Sequence, residues 1–266
     1  MQEAEGVKLI LMGTNDKSQS ILYVIEQHEQ LLELWRSVNS KALRVAHLDF
    51  HCDMRGLLID YAKQLAYPVS NLQRLDEGNF LTHAILEERV QSIHWIHNIP
   101  GGRKYDVGTV MYMTDLSVQP RRWLLAQKRQ QGIPIQYKVT EFTQWNGLVA
   151  GEFLDIDWDF FASKEYSLNT IDSRVEIFFS KEFECIPKQI SVCYSSRYSH
   201  PSQEQFEKFV HRLAEIFQAK IVFIPAPLKS VSPEIGCICT LKHKLLYQFK
   251  HMHYETILCL RKRNIF

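Results

Sequence analysis

The chain has 266 residues, 45% of them hydrophobic, which is enough to bury the core of one α/β domain. Its 31 Lys and Arg residues balance 30 Asp and Glu residues, and the net charge of +1 argues against a bulk nucleic-acid binder. No uncharged apolar run approaches the roughly 20 residues of a membrane helix, and the start of the chain has no signal-peptide pattern. The six cysteines have neither disulfide nor zinc spacing, so we expect a reduced, cytoplasmic protein with one domain over residues 1–266 and no membrane or nucleic-acid partner.

Short apolar runs alternate with amphipathic stretches, which indicates strands covered by helices. The predicted strands are Val7–Met12, Ile21–Ile25, Leu43–Phe50, Ser92–Ile96, Thr109–Met113, Phe153–Trp158, Gln189–Tyr194 and Lys220–Ile224. Several of them are apolar on both faces, as in a parallel sheet with helices on each side. The sequence therefore predicts an α/β fold with three layers, α-β-α, around a mostly parallel sheet.

Four amphipathic stretches predict the helices of the outer layers. They are His28–Asn39, Phe80–Val90, Asp172–Phe183 and Ser202–Gln218. The last is the clearest, because large apolar side chains recur in it at helical intervals. Two longer loops are predicted, over Ser163–Ile171 and Pro225–Ile235, and loops that follow strands are where such folds place function.

Polar residues occupy alternate positions at the end of the third predicted strand, Leu43–Phe50. Asp49, His51 and Asp53 would share one face if the strand continued to Asp53, because successive side chains on a strand point to opposite faces. On a helix, residues two apart diverge. The pattern therefore predicts three polar groups that converge.

A second run of acidic residues has the same design. Asp155, Asp157 and Asp159 alternate with large apolar residues around the predicted strand Phe153–Trp158. Buried carboxylates repel one another and lose hydration, so they persist as anions only where positive charge compensates them. Two divalent cations would supply that charge, so the two runs together predict a carboxylate-rich binuclear metal site.

His28 is the third element of this site. It follows the predicted strand Ile21–Ile25 and opens a predicted helix. That places it at the carboxyl end of a strand, where open α/β sheets bind ligands. We therefore expect His28 to be a metal ligand.

The order of these motifs resembles that of the arginase-like ureohydrolases. In that superfamily a His after one strand is followed by an Asp-x-His-x-Asp motif and then by an Asp-x-Asp motif. The matching residues here are His28, then Asp49, His51 and Asp53, then Asp155 and Asp157. The resemblance implies an arginase/deacetylase-like version of the predicted fold.

The context of the motifs is similar to that of the peptide arginases, in the segments Val24–Leu32, His47–Asp53 and Gly78–Ile85. These enzymes convert arginine to ornithine within ribosomally made precursor peptides. The chain lacks the Gly-Asp-His-Ser setting of ordinary arginases around His28, and it lacks their Ser/Asn-rich loop for a free amino acid. The resemblance therefore implies an arginine-containing precursor peptide as the partner, and it implies no oligomeric state.

The resemblance also implies two Mn²⁺ ions per chain. Two carboxylates would bridge the ions and two further side chains would complete each of them: the bridging pair Asp49 and Asp155, the pair His28 and Asp53, and the pair His51 and Asp157. A site rich in oxygen with only two imidazoles suits a hard ion such as Mn²⁺.

Other roles are assigned to single residues. Asp53 would pass a proton to the departing amine, and His83 and His97 would shuttle protons unless they are structural, hydrogen-bonded histidines. A guanidinium group needs a planar carboxylate partner, for which Asp159 and Glu234 are candidates. Asp159 has an alternative role as a hydrogen-bond partner of the metal ligands.

Four alternatives to a peptide arginase stay open. One is a ureohydrolase that acts on free arginine or another small guanidine. The second is a deacetylase-type enzyme on the same fold, although no tandem His-His pair occurs in the chain. The third is a phosphoesterase with a binuclear site, which would need further His or Asn ligands. The fourth is a non-catalytic member that binds peptides. The number and kind of bound metal ions would separate several of these.

Overall fold

A seven-stranded sheet lies at the centre of the computed structural model. The structure describes residues 20–60, 63–68, 74–98, 131–181, 183 and 185–224. The predicted strands Val7–Met12 and Thr109–Met113, the predicted loop Pro225–Ile235 and the candidate Glu234 lie outside the described residues. All described residues fall within one compact unit, Met1–Ala226, so a single domain over 1–266 stays a prediction.

The described strands and helices alternate over most of the chain. In order they are β1 (Ile21–Ile25), α1 (Glu29–Ser37), β2 (Leu43–Leu48), β3 (Leu57–Asp60), β4 (Leu65–Pro68), α2 (Phe80–Leu86), β5 (Val90–His97), β6 (Ile133–Pro134), β7 (Gln136–Glu141), β8 (Glu152–Asp157), α3 (Asp159–Ala162), α4 (Ile171–Phe179), β9 (Gln189–Cys193), α5 (Gln203–Ile216) and β10 (Lys220–Phe223). Short 3-10 turns cover Glu77–Asn79, Phe142–Gln144 and Leu168–Thr170.

The large sheet has the strand order β10-β1-β9-β8-β2-β5-β7, and every pair of neighbours in it is parallel. A second, small sheet has the order β3-β4-β6 with antiparallel pairing. A parallel sheet needs crossover connections, which the helices supply. The predicted α/β fold with a mostly parallel sheet is confirmed.

Two apolar cores lie on opposite faces of the large sheet. Alternate residues of one strand enter different cores: Val45 packs with α1 and α2, whereas Ala46 and Leu48 pack with α3, α4 and α5. The strand β8 divides in the same way, since Phe153 joins the first core and Leu154 the second. Helices therefore cover both faces, which gives the three layers expected from the sequence.

Most predicted elements that fall within the described residues are present, with shifted ends, and the strands β3, β4, β6 and β7 and the helix α3 were not predicted. The strand β2 ends at Leu48, before the Asp49-x-His51-x-Asp53 motif, and β8 ends at Asp157. No helix in the described part of the chain is both long and apolar enough to cross a membrane.

Candidate metal centre

The polar residues singled out in the sequence meet at one edge of the large sheet. Four neighbouring strands, β1, β9, β8 and β2, end there. His28 follows β1, Asp49 follows β2, Asp157 ends β8 and Ser195 follows β9. This carboxyl edge is where open parallel sheets bind ligands, since the loops after adjacent strands meet there.

One group of side chains converges on the imidazole of His28. Its Nδ1 atom lies 2.9 Å from Asp53 Oδ2, 3.2 Å from Asp157 Oδ2 and 3.6 Å from Asp49 Oδ2. These four ligand atoms all lie within 4.8 Å of one another, and all four residues are buried. Nevertheless His28 Nδ1 and Asp49 Oδ2 have no hydrogen-bond partner among the described residues. Close approach without hydrogen-bond geometry is what a shared cation between these atoms would require.

The hydrogen bond made by the other nitrogen of His28, Nε2, determines whether Nδ1 carries a proton. His28 Nε2 lies 3.2 Å from Asp155 Oδ1 in hydrogen-bond geometry, so an ionised Asp155 makes Nε2 the donor. In the neutral imidazole, Nδ1 then carries a lone pair toward three carboxylates, which is repulsive without a cation between them. Burial lowers the pKa of His28, but Asp155, Cys193 and Asp157 outweigh burial and raise the pKa well above its ordinary value. The site therefore takes up a cation, either a proton or a metal ion.

A second group shares Asp49 with the first. Asp49, His51 and Asp159 offer ligand atoms within 4.8 Å of one another, and His51 Nδ1 lies 2.9 Å from Asp159 Oδ2. Asp159 Oδ2 is buried and has no hydrogen-bond partner among the described residues. The side chain of His51 is 47% exposed, so this second group faces solvent whereas the first is enclosed. One carboxylate common to two groups is the arrangement of a bridging ligand.

The charges of the two groups do not balance without added cations. Burial raises the pKa of Asp49, and the neighbouring carboxylates of Asp53, Asp159 and Asp157 raise it further, well above its ordinary value. Burial lowers the pKa of His51, but Asp159 outweighs burial, and the pKa of His51 rises to about 9. Carboxylates that raise one another's pKa in this way become fully ionised when a cation binds between them.

Behind these groups a row of hydrogen bonds crosses three strands. His47 on β2, Asp155 on β8 and Ser191 on β9 are paired in register, so their side chains lie side by side. Asp155 Oδ2 accepts a hydrogen bond from His47 Nδ1 at 2.8 Å, and Asp155 Oδ1 accepts from Ser191 Oγ at 2.5 Å. With the bond from His28, both oxygens of Asp155 are occupied, and the partners hold the pKa of this carboxyl below its ordinary value.

The role of Asp155 as a bridging ligand stays a prediction, but the structure separates its surroundings from those of Asp159. Asp159, a candidate for substrate binding, lies with Asp49 and His51, whereas Asp155 converges with His28 and His47 and accepts hydrogen bonds from both. The reason is that β8 ends at Asp157 and the chain turns into α3, which brings Asp159 back toward the site. The amide of Asp159 donates to Asp157 Oδ1 at 3.1 Å and stabilises this turn.

The first motif also converges for a reason other than the one predicted. Because β2 ends at Leu48, Asp49–Asp53 is a turn and not an extended strand. The amide of His51 donates to Asp49 Oδ1 at 2.7 Å, and Asp53 has φ of 50°. Asp is one of the few residues that adopt the left-handed region readily. Ser195 at the same sheet edge has φ of 44°, and strained backbone of this kind often occurs at functional sites.

Sequence reasoning missed the contribution of β9. Ser195 Oγ donates to Asp157 Oδ2 at 2.7 Å, and Cys193 Sγ lies 3.2 Å from Ser195 Oγ. Ser191, Cys193 and Ser195 alternate with the buried apolar residues Ile190 and Val192, so a period of two was the available signal. Burial raises the pKa of Cys193 well above its ordinary value, and its Sγ atom converges with ligand atoms of His28 and Asp157.

The two candidate proton shuttles belong to neither ligand group. His83 lies on α2 and is half-buried, while His97 ends β5 with its ring centroid 5.3 Å from that of Trp95. Burial lowers the pKa of His97 against a smaller opposing effect of Glu141. Among the described residues neither joins a group of converging metal ligands, and a role in proton transfer stays a prediction for both.

The sequence was compared with known protein families and with curated proteins. A scan of the sequence against protein-family models found no match. A search of curated proteins found none either.

Proposed function

We propose that this chain is a binuclear manganese hydrolase that cleaves the guanidinium group of arginine within a peptide, leaving ornithine and releasing urea. The observation that carries the proposal is the pair of ligand groups that share Asp49 and contain buried atoms without hydrogen-bond partners. A proton satisfies such atoms poorly, because none of the oxygens near His28 Nδ1 is placed to accept a hydrogen bond from it. A metal ion makes no such directional demand.

The residues fit two metal ions of the hard type. His28, Asp49, Asp53 and Asp157 would hold the enclosed ion, and Asp49, His51 and Asp159 the ion nearer solvent. Carboxylate oxygens dominate both sets and each has one imidazole, which suits Mn²⁺ better than a soft ion. With Asp157-x-Asp159 as the second acidic pair, the chain keeps the motif order that resembles the arginase-like ureohydrolases.

Bound divalent cations would supply a nucleophile by lowering the pKa of water to near neutrality. The side chains around them have separate tasks. Asp53, at 7% the most exposed carboxylate of the enclosed group, would accept a proton and pass it to the departing amine. Asp155 would fix the orientation of His28 through its hydrogen bond to Nε2.

A peptide is the proposed substrate, and a cytoplasmic location belongs to the same proposal. The half-exposed His51 leaves the second group open to a long substrate. The sequence also lacks the Ser/Asn-rich loop with which arginases grip a free amino acid. A guanidinium group in a peptide needs no such loop, since its α-amino and α-carboxyl groups are already in amide bonds.

The test is incubation of the Mn²⁺-loaded protein with arginine peptides and with free arginine, followed by mass spectrometry and a urea assay. Each hydrolysed arginine lowers the peptide mass by about 42 Da, the difference between the two side chains. We expect this mass loss together with urea, and its disappearance in Asp159→Asn and Asp53→Ala. Hydrolysis of free arginine alone would reassign the chain to ordinary ureohydrolases.

Metal analysis of the purified protein provides an independent check. Two manganese ions per chain agree with the proposal, and Asp49→Asn is expected to lose both because it belongs to both groups. One zinc ion per chain would favour a deacetylase-type enzyme. A chain that binds no metal at all would contradict the proposal.

A further inference from the structure

The thiol of Cys193 lies at the same sheet edge as the proposed metal centre. Cys193 ends β9 and is paired in register with Asp157 on β8 and with Ile25 on β1. Residues that are paired in register point their side chains to the same face of a sheet, so the thiol lies beside the carboxylate of Asp157. His28 follows β1 and brings its imidazole to the same place.

Three side chains converge here as a group of their own. Cys193 Sγ, one ring nitrogen of His28 and one carboxylate oxygen of Asp157 all lie within 4.8 Å of one another. The three residues are buried, with exposed fractions of 0% for Cys193, 1% for His28 and 4% for Asp157. This group differs from the two groups of the proposed manganese centre because it contains sulfur.

The imidazole of His28 indicates independently that a ligand binds here. Its Nδ1 atom is buried, has no hydrogen-bond partner among the described residues and lies 3.2 Å from Asp157 Oδ2. A buried polar atom without a partner destabilises the fold unless the protein binds something at that place. A cation that contacts His28 and Asp157 has the thiol of Cys193 within reach.

The thiol has only a weak bond to lose when a cation binds. Ser195 Oγ donates its proton to Asp157 Oδ2 at 2.7 Å, so the thiol is the donor in the contact of 3.2 Å between Cys193 Sγ and Ser195 Oγ. An S–H group is a weak hydrogen-bond donor. A metal ion that binds this sulfur replaces its proton, which is released to solvent, and forms a metal–sulfur bond in place of the S–H bond.

The ligand set determines which class of cation fits. Thiolate ligands select zinc and related thiophilic ions, whereas the two groups of the proposed manganese centre offer only carboxylates and imidazoles. One sulfur, one nitrogen and one oxygen, with a water molecule as the fourth ligand, complete the tetrahedral shell of Zn²⁺. Zn²⁺ also binds a given site of nitrogen, oxygen and sulfur ligands more tightly than Mn²⁺ does.

We propose that Cys193, His28 and Asp157 form a binding site for a thiophilic cation of the zinc class, and that this cation excludes manganese from the enclosed group. The exclusion follows because His28 and Asp157 belong to both ligand sets. The thiophilic site is independent of the proposed function, whereas its consequence, inhibition of the manganese enzyme by zinc, rests on that function.

The first experiment titrates the reduced, metal-free protein with Cd²⁺, a thiophilic ion whose bond to a thiolate absorbs in the ultraviolet. The variants are Cys193→Ser and Cys193→Ala, of which the second leaves no side-chain oxygen. Cys185→Ser is the matched control, because Cys185 packs with the core on the opposite face of the sheet from Cys193. Circular dichroism establishes that each variant is folded.

We expect the wild type and Cys185→Ser to give a cadmium–thiolate band that falls by the absorbance of one thiolate per chain in both Cys193 variants. Asp53→Asn, which changes a ligand of the enclosed manganese group alone, should keep the band. The affinity of Cys193→Ser for Zn²⁺ should fall by more than the roughly 10- to 100-fold that is typical when a metal ligand loses its hydrogen-bond partner. A band of equal size in the wild type and the Cys193 variants would overturn the inference, and so would loss of the band in Asp53→Asn.

A second experiment tests the exclusion of manganese. Protein loaded with Mn²⁺ is titrated with Zn²⁺, and electron paramagnetic resonance measures the Mn²⁺ that is released. We expect Zn²⁺ to release manganese from the wild type and from Cys185→Ser, and Cys193→Ser to require a higher Zn²⁺ concentration. Equal release from the wild type and Cys193→Ser would overturn the exclusion.

The two proposals fail in different ways. A cadmium–thiolate band that depends on Cys193, in a protein that hydrolyses no arginine substrate, would support the thiophilic site and contradict the proposed reaction. Hydrolysis by a protein whose cadmium and zinc binding does not depend on Cys193 would support the reaction and overturn the thiophilic site. A bound zinc ion that Cys193→Ser retains with full affinity would also overturn it.

Discussion

Asp155 is a buried carboxylate whose two oxygens accept hydrogen bonds from two histidines and a serine. Each of these bonds favours the ionised carboxylate, so the pKa of Asp155 is low even though burial alone would raise it. The charge of Asp155 in turn fixes the proton of His28 on Nε2. The protonation of His28 Nδ1, which faces Asp49, Asp53 and Asp157, therefore depends on the hydrogen bond between Nε2 and Asp155.

Asp155→Asn is expected to lower the affinity for Mn²⁺ by about 10- to 100-fold, as is typical when the hydrogen-bond partner of a metal-binding His is lost. An amide at this position presents N–H groups to His28 or His47 and no longer fixes both tautomers. Isothermal titration with Mn²⁺ measures the change. Ser191→Ala, which removes one hydrogen bond to the same carboxylate, should lower the Mn²⁺ affinity by a smaller factor. Unchanged Mn²⁺ affinity in a folded Asp155→Asn protein would contradict this role.

The interactions of Glu87 with Arg36 and Arg89 make a contribution to the stability of the fold that depends on pH. Hydrogen bonds from Arg36 and then Arg89 lower the pKa of Glu87 from 4.5 to about 2, against a smaller opposing effect of burial. A lowered folded-state pKa means that the stabilisation is complete above pH 4.5 and is lost as the pH falls toward 2. Because the ion pair is partly exposed, we expect Glu87→Gln to destabilise by only about 0.5–1 kcal/mol at pH 7.

Urea unfolding at several pH values checks the effect of Glu87→Gln. The difference in free energy of unfolding between wild type and variant should shrink between pH 5 and pH 3, where the unfolded wild type takes up its proton. A difference that grew on acidification would have the wrong sign for a lowered pKa.

Asp49, His51, Asp53 and Asp157 could be recognised from the sequence because they alternate with large apolar residues. The different surroundings of Asp155 and Asp159 could not be predicted in the same way. Three acidic residues at alternate positions look equivalent on a strand, and only the end of β8 at Asp157 separates them.

The helix α5 shows how the second core is held together. Its apolar face buries Phe206, Phe209, Val210 and Leu213, all at most 5% exposed, while Lys208 and Glu204 form an exposed ion pair on the other side. The spacing of the apolar residues predicted this helix from the sequence, because a stripe at helical intervals must face a core. The stripe packs against the face of the sheet opposite α1 and α2.

Leu213→Ala is expected to destabilise the protein by about 2–5 kcal/mol, because the side chain is fully buried and leaves a cavity. Lys208→Ala, which removes one exposed ion pair, should leave the stability almost unchanged. Urea unfolding measures both. Similar stabilities of the two variants would contradict the assignment of the buried face.

Short and polar elements escaped prediction. The strand β7 reads Gln-Tyr-Lys-Val-Thr-Glu, and of these residues only Tyr137 is buried, so hydrophobicity alone gives little signal. It lies at an end of the strand order, where one side of a strand has no neighbour among the strands that the structure describes. The hairpin of β3 and β4 has four-residue strands, which are too short for a clear period of two.

The effect of metal on the whole molecule follows from binding to the folded chain alone. The ligands come from β1, β2, β8 and the turn into α3, so the unfolded chain has no such site. We expect Mn²⁺ at about 100-fold above its Kd to stabilise the fold by about 2.7 kcal/mol. For a chain of this size, that stabilisation raises Tm by about 5–10 °C.

Thermal unfolding followed by circular dichroism tests this expectation, with and without a chelator. The rise in Tm on adding Mn²⁺ should be absent in Asp49→Asn, because this residue belongs to both ligand groups. A variant that responds to Mn²⁺ as the wild type does would show that the stabilising ion binds elsewhere.

The sheet edge that holds the site has a consequence for the order of events during folding. The contact between His28 and Asp155 spans 127 positions of the chain, and that between Asp157 and Ser195 spans 38. Contacts so distant in sequence form slowly and only after the intervening strands have paired. A metal ion therefore cannot nucleate this fold as zinc does in a small finger. On the proposed function, the newly made polypeptide would complete its central sheet first and bind its ions afterwards, so the supply of the metal would limit maturation and not folding.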